Sequence, residues 1–319
     1  EGMDRDVLTM LNLHSRVDAN HEDHAREEWR SFVRKITAER KYNIKLGLTG
    51  KYAQLRDAYA SIEKAVEHCG AHLNAKVEID WIATTLLKPE EVTETLKSFN
   101  GVIVPGGFGH RGTESKIACV QYCRENGLPY LGICLGFQMA VVDFARNVVG
   151  LKHAGSTEFD PNSPDPVIDI LPEQKKIEGL GGNMRLGGKD VLIKPGSLAE
   201  MLFADEIDPK TNQIRARFRH RFEVDPNYIE KLEAHGLVFS GRHPEQPIMQ
   251  VLELPDHPYF IGGQFHPELT SRPVHPQPMF MGLVAAAIQH ANPDIDPAAI
   301  SKRWLRPAQP QSPATPTTS

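Results

Sequence analysis

A cysteine flanked by glycines is the residue of this sequence with the clearest capacity for covalent chemistry. Gly132-Ile-Cys134-Leu-Gly136 joins an apolar segment, residues 128–133, to an apolar helical stretch, residues 136–149. A nucleophile at a sharp strand-to-helix turn needs glycine two positions away on each side, because larger side chains would collide across the turn. The N-terminus of the following helix favours a thiolate. The pattern predicts that Cys134 is a nucleophile, with a buried structural cysteine as the alternative.

A histidine and a carboxylate near the far end supply the groups that a cysteine nucleophile needs. The apolar segment 259–265 is followed by His266-Pro267-Glu268. Side chains two residues apart at a strand end can project to the same side, so Glu268 could orient the ring of a basic His266. By itself such a histidine is usually only hydrogen-bonded. Together with Cys134, the pair His266 and Glu268 predicts a Cys-His-Glu triad.

A glycine-rich turn, Pro105-Gly-Gly-Phe-Gly109, follows the apolar segment 101–104. Adjacent glycines allow backbone N–H groups to turn toward an oxyanion, and the N–H of Leu135, next to the nucleophile, is the natural second donor. We therefore expect an oxyanion hole between this turn and Cys134.

Alternating strands and helices must bring these three segments together. The apolar pattern predicts strands at 44–48, 75–82, 101–104 and 128–133, and helices at 57–68, 89–99, 113–126 and 136–149. The first helix is expected to stop at Gly70 and the third at Gly127. Repeated βα units predict an α/β fold with a doubly wound, mostly parallel sheet, whose ligands bind at the carboxyl ends of its strands.

The composition is that of an ordinary soluble protein. The chain has 319 residues, with 36 Lys+Arg, 41 Asp+Glu and a formal net charge of -5. No segment approaches the ~18–20 apolar residues of a membrane helix, and no basic cluster suits nucleic acid. Four cysteines are too few for a disulfide framework. We expect a cytoplasmic protein without a nucleic-acid or membrane partner.

The two ends differ from the middle. Residues 27–36 place four apolar side chains at helical spacing, predicting an amphipathic helix: Trp29, Phe32, Val33 and Ile36. His21 and His24 lack further ligands at a suitable spacing, so no metal site is expected. Residues 306–319 are rich in Pro, Ser and Thr and should be disordered. The predicted organisation is a linker with an amphipathic helix at 1–41, a folded domain at 42–305 and a tail at 306–319.

Two further motifs are weaker. Gly47-Leu-Thr-Gly50-Lys51 follows the first predicted strand but lacks the glycine spacing and the Ser/Thr of a Walker loop. A tight turn explains it better than a nucleotide site. Cys119 and Cys123 lie one turn apart on a predicted helix, where packing is the better explanation.

In their order and spacing, segments 105–109, 132–138 and 266–268 resemble those of class I (triad) glutamine amidotransferases. Further segments look like the glutaminase domain of the CTP synthase family: Gly50-Lys-Tyr52, Asp57-Ala-Tyr59, and residues 105–112, 156–159, 184–187 and 219–224. The resemblance covers about residues 42–290 and implies a flavodoxin-like class I amidotransferase fold with a nucleophile elbow. It also implies glutamine hydrolysis, with the ammonia used for ATP-dependent amination of UTP to CTP in pyrimidine biosynthesis. Two small departures are Phe222, where the family commonly has Tyr, and Asp225, where it often has Asn.

Carried over by position, the resemblance implies catalytic roles for Cys134 as nucleophile, His266 as acid and base, and Glu268 as orienter. Gly107 and Leu135 would form the oxyanion hole.

The resemblance also implies two binding regions. Glutamine would contact Gly107, Leu135, Gln138, Glu158 and Arg221. A carboxylate and a guanidinium suit the ammonium and carboxylate of free glutamine, which agrees with Glu158 and Arg221. A GTP activator would contact the region formed by Phe108, Arg111, Met184, Arg185, Leu186 and Gly187.

One departure from the family is large, because this sequence lacks its amino-terminal synthetase domain. ATP, UTP and Mg²⁺ are expected only with that domain, so this chain should need no cofactor of its own. It looks like either an excised domain with its linker helix or a chain that acts with a separate synthetase partner. The family implies a homotetramer for the full-length protein. Two alternatives stay open: a cysteine hydrolase on the same scaffold, such as a γ-glutamyl peptidase or a DJ-1-like protein, and a non-catalytic assembly or regulatory module. The hydrolase should not need segments 184–187 and 219–224.

Overall fold

A large mixed sheet with helices on both faces organises the molecule. The computed structural model describes residues 2–51, 56–171 and 184–305. The strands are β1 Tyr42–Gly50, β2 Ala75–Ala83, β3 Gly101–Val104, β4 Tyr130–Ile133, β5 Ala154–Ser156, β6 Asp165–Asp169, β7 Arg185–Ile193, β8 Gln213–His220, β9 Glu223–Val224, β10 Val238–Arg242, β11 Met249–Glu253 and β12 Phe260–Gly263. The helices are α1 Met3–Met10, α2 Ala19–Thr37, α3 Ala60–His72, α4 Val92–Leu96, α5 Thr113–Asn126, α6 Leu135–Asn147, α7 Leu198–Phe203, α8 Pro226–Glu233, α9 Pro278–Ala291 and α10 Pro297–Ile300.

The nine-stranded sheet has the order β2-β1-β3-β4-β12-β11-β10-β7-β8. Its first five strands pair in parallel, and the remaining four continue it in antiparallel pairs. The α/β, doubly wound prediction is confirmed in the parallel half. The antiparallel arm was not predicted; its strand β8 alternates buried and exposed residues, as a strand with one solvated face should. A small sheet, β5-β6-β9, lies apart from the main one.

Apolar clusters cover the two faces of the sheet. Successive side chains of a strand point to opposite faces, and Ile103 and Val104 accordingly belong to different clusters. One cluster includes α3, α7 and α9, and the other includes α4, α5 and α6. Residues 278–288 of α9 and 135–145 of α6 are buried without interruption. Helices so enclosed hold the carboxyl ends of β3, β4 and β12 in fixed positions.

Two helix predictions were wrong at their ends. The helix expected to stop at Gly70 continues as α3 to His72. Gly70 serves close packing, because a Cβ there would lie 2.8 Å from the carbonyl oxygen of Ala75. The helix predicted at 89–99 is a 3-10 turn, Pro89–Glu91, followed by the short α4. Predicted helix 113–126 coincides with α5, and Gly127 after it has a left-handed φ of 63°.

Helix α2 contains the amphipathic run predicted at 27–36. Phe32 is buried against the rings of His68 and His72 of α3, whereas Trp29 and Val33 are exposed. Across the described ranges, no cluster of three or more His, Cys, Asp or Glu could hold a metal ion, and no helix is long and apolar enough to cross a membrane. The predicted tail 306–319 and Tyr52 of the Gly50-Lys-Tyr52 motif lie outside the described residues.

Candidate active site

Cys134 occupies the turn between β4 and α6 in a conformation that side chains rarely adopt. Its φ is 52° and its ψ is -98°, and it forms the N-cap of α6. A Cβ on Gly136 would lie 2.0 Å from the carbonyl oxygen of Val104, and one on Gly132 would lie 2.7 Å from the hydroxyl of Tyr130. Both glycines are therefore required for steric reasons, as in a nucleophile elbow.

His266 lies between Cys134, the predicted nucleophile, and a carboxylate. Strands β4 and β12 are neighbours, and the Cys134 N–H donates to the carbonyl oxygen of Gly263 at 2.8 Å. Three residues later, the Nδ1 of His266 lies 2.7 Å from Oε1 of Glu268. The His266 ring also lies beside Cys134, because a Cβ built on Gly106 would lie 2.8 Å from Cε1 of His266 and 3.5 Å from Cβ of Cys134. Nε2 is the ring nitrogen that Glu268 leaves for the thiol. The structure therefore brings the three predicted triad residues together, with His266 between Cys134 and Glu268.

The electrostatics of this series favour a charged imidazole. Burial opposes the charge on His266, but its interactions with Cys134 and Glu268 outweigh burial and raise the pKa of His266 to about 10. The ring is therefore an imidazolium at neutral pH, the partner that a thiolate requires.

The glycine-rich turn after β3 lies directly beside the triad. A Cβ on Gly106 would approach Cε1 of His266 to 2.8 Å, so only glycine fits between the ring and the turn. A Cβ on Gly107 would make an ordinary 3.5 Å contact with Leu135. Leu135 is the first residue of α6, where backbone N–H groups have no acceptor within the helix. Gly107 and Leu135, the two predicted oxyanion donors, are thus neighbours.

Lys51 holds the outer end of this turn, a role that the sequence analysis missed. Its ammonium donates hydrogen bonds to the carbonyl oxygens of Phe108 and Gly109, the latter at 3.0 Å. In the sequence analysis, Lys51 belongs to a weak phosphate-loop candidate and to the Gly50-Lys-Tyr52 segment of the family resemblance, and its side chain has no assigned role. A lysine immediately after a strand was the available signal, but its partners lie more than fifty residues away in the sequence.

Glu158 and Arg221 lie near one another, as a zwitterion pocket would require. Oε1 of Glu158 accepts a hydrogen bond from the Gly109 N–H at 2.7 Å. Burial raises the pKa of Glu158, while Gly109, Lys51 and Arg221 favour its charged form. Glu158 follows β5 and Arg221 follows β8, so tertiary structure alone brings them together.

Gln138 is buried in the first turns of α6, and its side-chain NH₂ group is already hydrogen-bonded. Its Nε2 donates to the carbonyl oxygen of Phe222 at 2.9 Å and to Oε1 of Gln264 at 3.1 Å. Gln138 therefore connects α6 with the segment that carries Arg221. Gln264 is a further participant that the sequence analysis missed, because it lies within an apolar run.

The residues of the predicted effector region fall into two groups. Phe108 is 55% exposed beside the active-site turn, and Arg111 lies near Lys51. Met184 precedes β7, which contains Leu186 and Gly187, and Nε of Arg185 pairs with Oε1 of the buried Glu223 at 2.8 Å. No hydrogen bond or ion pair joins the two groups within the described ranges. A common nucleotide site stays a prediction.

The remaining cysteines have none of these features. Burial raises the pKa of Cys119 to about 12 and those of Cys69 and Cys123 well above the usual range. These thiols are therefore unreactive side chains of the core, in agreement with the packing interpretation of Cys119 and Cys123.

Comparisons with known proteins agree on one protein family. The family model for class I glutamine amidotransferases matches residues 54–286. A CTP synthase from Archaeoglobus fulgidus is 46% identical over 290 residues, which are 91% of this chain and 52% of that protein. One from Thermococcus gammatolerans is 48% identical over 288 residues, which are 90% of this chain and 51% of that protein. The chain therefore spans about half the length of the curated relatives it matches.

A solved structure agrees with these relatives. The glutaminase domain of Trypanosoma brucei CTPS, with bound acivicin, has a TM-score of 0.69 and 35% sequence identity. The match covers 76% of this chain and 93% of that domain.

Proposed function

The chain belongs to the class I glutamine amidotransferase family, and from this premise we propose that it hydrolyses the side-chain amide of glutamine at Cys134. The observation that carries the proposal is the series of neighbouring side chains Cys134, His266 and Glu268 beside a glycine turn. Such a series provides a nucleophile, a proton carrier and an orienting carboxylate.

The reaction starts when the Cys134 thiolate attacks the amide carbon and forms a C–S bond. The carbonyl electron pair moves to the oxygen, and the N–H groups of Gly107 and Leu135 stabilise this oxyanion. The His266 imidazolium then protonates the departing nitrogen, so that the C–N bond breaks and ammonia leaves a thioester. Water attacks the thioester while His266 accepts its proton, the C–S bond breaks, and glutamate and the thiolate are formed. Glu268 keeps the ring oriented throughout.

The glutamine pocket supplies one charge for each end of the zwitterion. Glu158 would receive the ammonium and Arg221 the carboxylate. Because one oxygen of Glu158 already accepts the Gly109 N–H, substrate binding also steadies the turn that carries the oxyanion donor. The Nε2 of Gln138 donates to Phe222 and Gln264, so its Oε1 is the atom left to accept a hydrogen bond from the substrate.

Covalent labelling tests this proposal directly. A chloroketone analogue of glutamine should alkylate Cys134 with loss of chloride, and excess glutamine should protect the thiol. Peptide mass spectrometry would locate the adduct, with Cys134→Ala as the unlabelled control. A folded protein that gives no adduct on Cys134 would contradict the proposal and favour the non-catalytic module.

Replacing Arg221 by alanine should raise KM for glutamine more than it lowers kcat, by roughly 10–100-fold, because a charge-assisted contact to the substrate carboxylate is lost. Steady-state ammonia release at varied glutamine concentration measures both constants. The matched control is Arg215→Ala, since Arg215 lies in β8 with an exposed side chain paired to Asp190. An unchanged KM in Arg221→Ala would remove Arg221 from the pocket.

We further propose that the ammonia serves a synthetase half that aminates UTP to CTP with ATP, because this chain matches only about half the length of the relatives named CTP synthase. ATP, UTP and Mg²⁺ would bind that half. GTP would act as an activator at Phe108, Arg111 and residues 184–187. A cytoplasmic location and a homotetramer of the full-length protein stay predictions.

By itself, the 319-residue chain should form no CTP from ATP, UTP, Mg²⁺ and glutamine. Its glutaminase turnover should be slow or undetectable in a routine assay, with at most weak GTP activation, because closure driven by the synthetase half would complete the pocket. Hydrolysis by wild type and variants is therefore compared at high enzyme concentration. Chromatography of the nucleotides measures CTP, and a full-length CTP synthase serves as the positive control. Formation of CTP by the chain alone would contradict the proposal that a synthetase half carries out the amination of UTP.

A further inference from the structure

Lys116 is a buried cation that the proposed mechanism does not use. It lies in the first turn of α5 and is only 1% exposed. Within residues 2–51, 56–171 and 184–305, no hydrogen bond or ion pair joins its ammonium to another group. Burying a lysine without a carboxylate is costly, so such a residue is a candidate for function.

The position of the Lys116 ammonium connects it with the oxyanion hole. A Cβ built on Gly107 would lie 3.8 Å from Nζ of Lys116 and 3.5 Å from Cδ2 of Leu135. The cation therefore lies next to Gly107, one of the two residues whose N–H groups are the proposed oxyanion donors, and the side chain of Leu135, the other, approaches the same position. Helices α5 and α6 pack against each other, which keeps Lys116 close to the nucleophile elbow.

The charged and titratable groups that act on Lys116 are Lys51, Cys119 and Cys134. Lys51 is a cation, and Cys119 is a neutral thiol because burial raises its pKa to about 12. Of these three groups, Cys134 is then the one that can carry a negative charge, as the thiolate. After it attacks glutamine, the charge lies on the oxyanion of the tetrahedral intermediate.

We propose that Lys116 is the cationic element of the oxyanion site, which stabilises the Cys134 thiolate and the tetrahedral oxyanion through the electric field of its ammonium. Lys116 is thus an electrostatic positioning residue beside the two N–H donors. The inference rests on the proposed glutaminase function for its second part, the oxyanion. Its first part, the thiolate, is independent of any substrate.

The protonation of Lys116 gives the proposal a specific signature. Burial, with repulsion from Lys51, lowers the pKa of Lys116 to about 8. The ammonium is charged below this pH and neutral above it, so the benefit is present at pH 7 and lost as the pH rises through about 8. His266, with a pKa of about 10, keeps its charge across this interval.

The test compares wild type with Lys116→Met, which removes the charge and keeps a similar apolar stem. Lys64→Met, the same change at an exposed position of α3, is the matched control. We expect Lys116→Met to lower kcat for glutamine hydrolysis at pH 7 by about 10-fold or more. The decline of kcat through about pH 8 in wild type should be absent from the variant. Alkylation of Cys134 by iodoacetamide at pH 7 should also slow several-fold, while Lys64→Met matches wild type in both assays.

The outcomes separate this inference from the proposed function. Equal alkylation and hydrolysis rates in Lys116→Met and wild type would overturn the role of Lys116 alone. A slower variant that keeps the decline near pH 8 would also overturn it, because packing would then explain the loss. If Lys116→Met does not fold, the dependence of wild-type kcat on pH is measured instead. A kcat that does not change near pH 8 would then contradict the proposed role of Lys116. Failure of wild type to react with the glutamine chloroketone would overturn the proposed function, and the iodoacetamide rates would still decide whether Lys116 acts on the thiolate.

Discussion

Replacing Cys134 by alanine should reduce glutamine hydrolysis by roughly 10⁴-fold or more, because the thioester route requires the thiolate. The fold should be retained. Alanine removes one buried sulfur atom, and the backbone conformation of the elbow is held by the packing of Gly132 and Gly136. Ammonia release at high enzyme concentration measures the activity, and thermal melting measures the stability.

Two further variants make this result specific. Cys134→Ser keeps the shape of the side chain but replaces the thiolate by a weak nucleophile, so it should be similarly inactive. Cys69→Ala removes an unreactive thiol on α3 and should retain wild-type turnover. Appreciable hydrolysis by a pure Cys134→Ala sample would show that another residue is the nucleophile.

Gly136→Ala should destabilise the protein by about 3 kcal/mol or more, a large effect for one methyl group. The added Cβ would lie 2.0 Å from the carbonyl oxygen of Val104, and both atoms belong to rigid buried elements. Either β3 or the start of α6 must then move, which would also displace Cys134. Urea unfolding measures the free energy of unfolding, and alkylation of Cys134 reports the displaced elbow.

Gly188→Ala is the control for this variant. Its Cβ would approach the side chain of Arg215 to 3.1 Å, and an exposed arginine can move aside. The expected change is within about 1 kcal/mol. If Gly136→Ala were no less stable than Gly188→Ala, close packing between β3 and α6 would not be what requires glycine at position 136.

The sequence was enough to predict a sharp strand-to-helix turn at Cys134, with Cys134 as the candidate nucleophile. Gly132, Cys134 and Gly136 lie within five residues, and the steric demand of a strand-to-helix turn acts over that distance. His266 and Glu268 are likewise close in sequence, so a strand end was enough to predict that they meet. The parallel half of the sheet followed from regular alternation of apolar strands and helices, which is a local pattern.

The contacts that surround Cys134 could be found only in the tertiary structure. Lys51 binds the turn at Phe108 and Gly109, Glu158 accepts from Gly109, and Gln138 holds Phe222. Each of these contacts joins residues about fifty or more positions apart, where no spacing rule applies. The same holds for Lys116, whose sequence position suggests only an ordinary helical lysine. Its burial beside Gly107 arises because α5, α6 and the turn after β3 meet at the carboxyl end of β3.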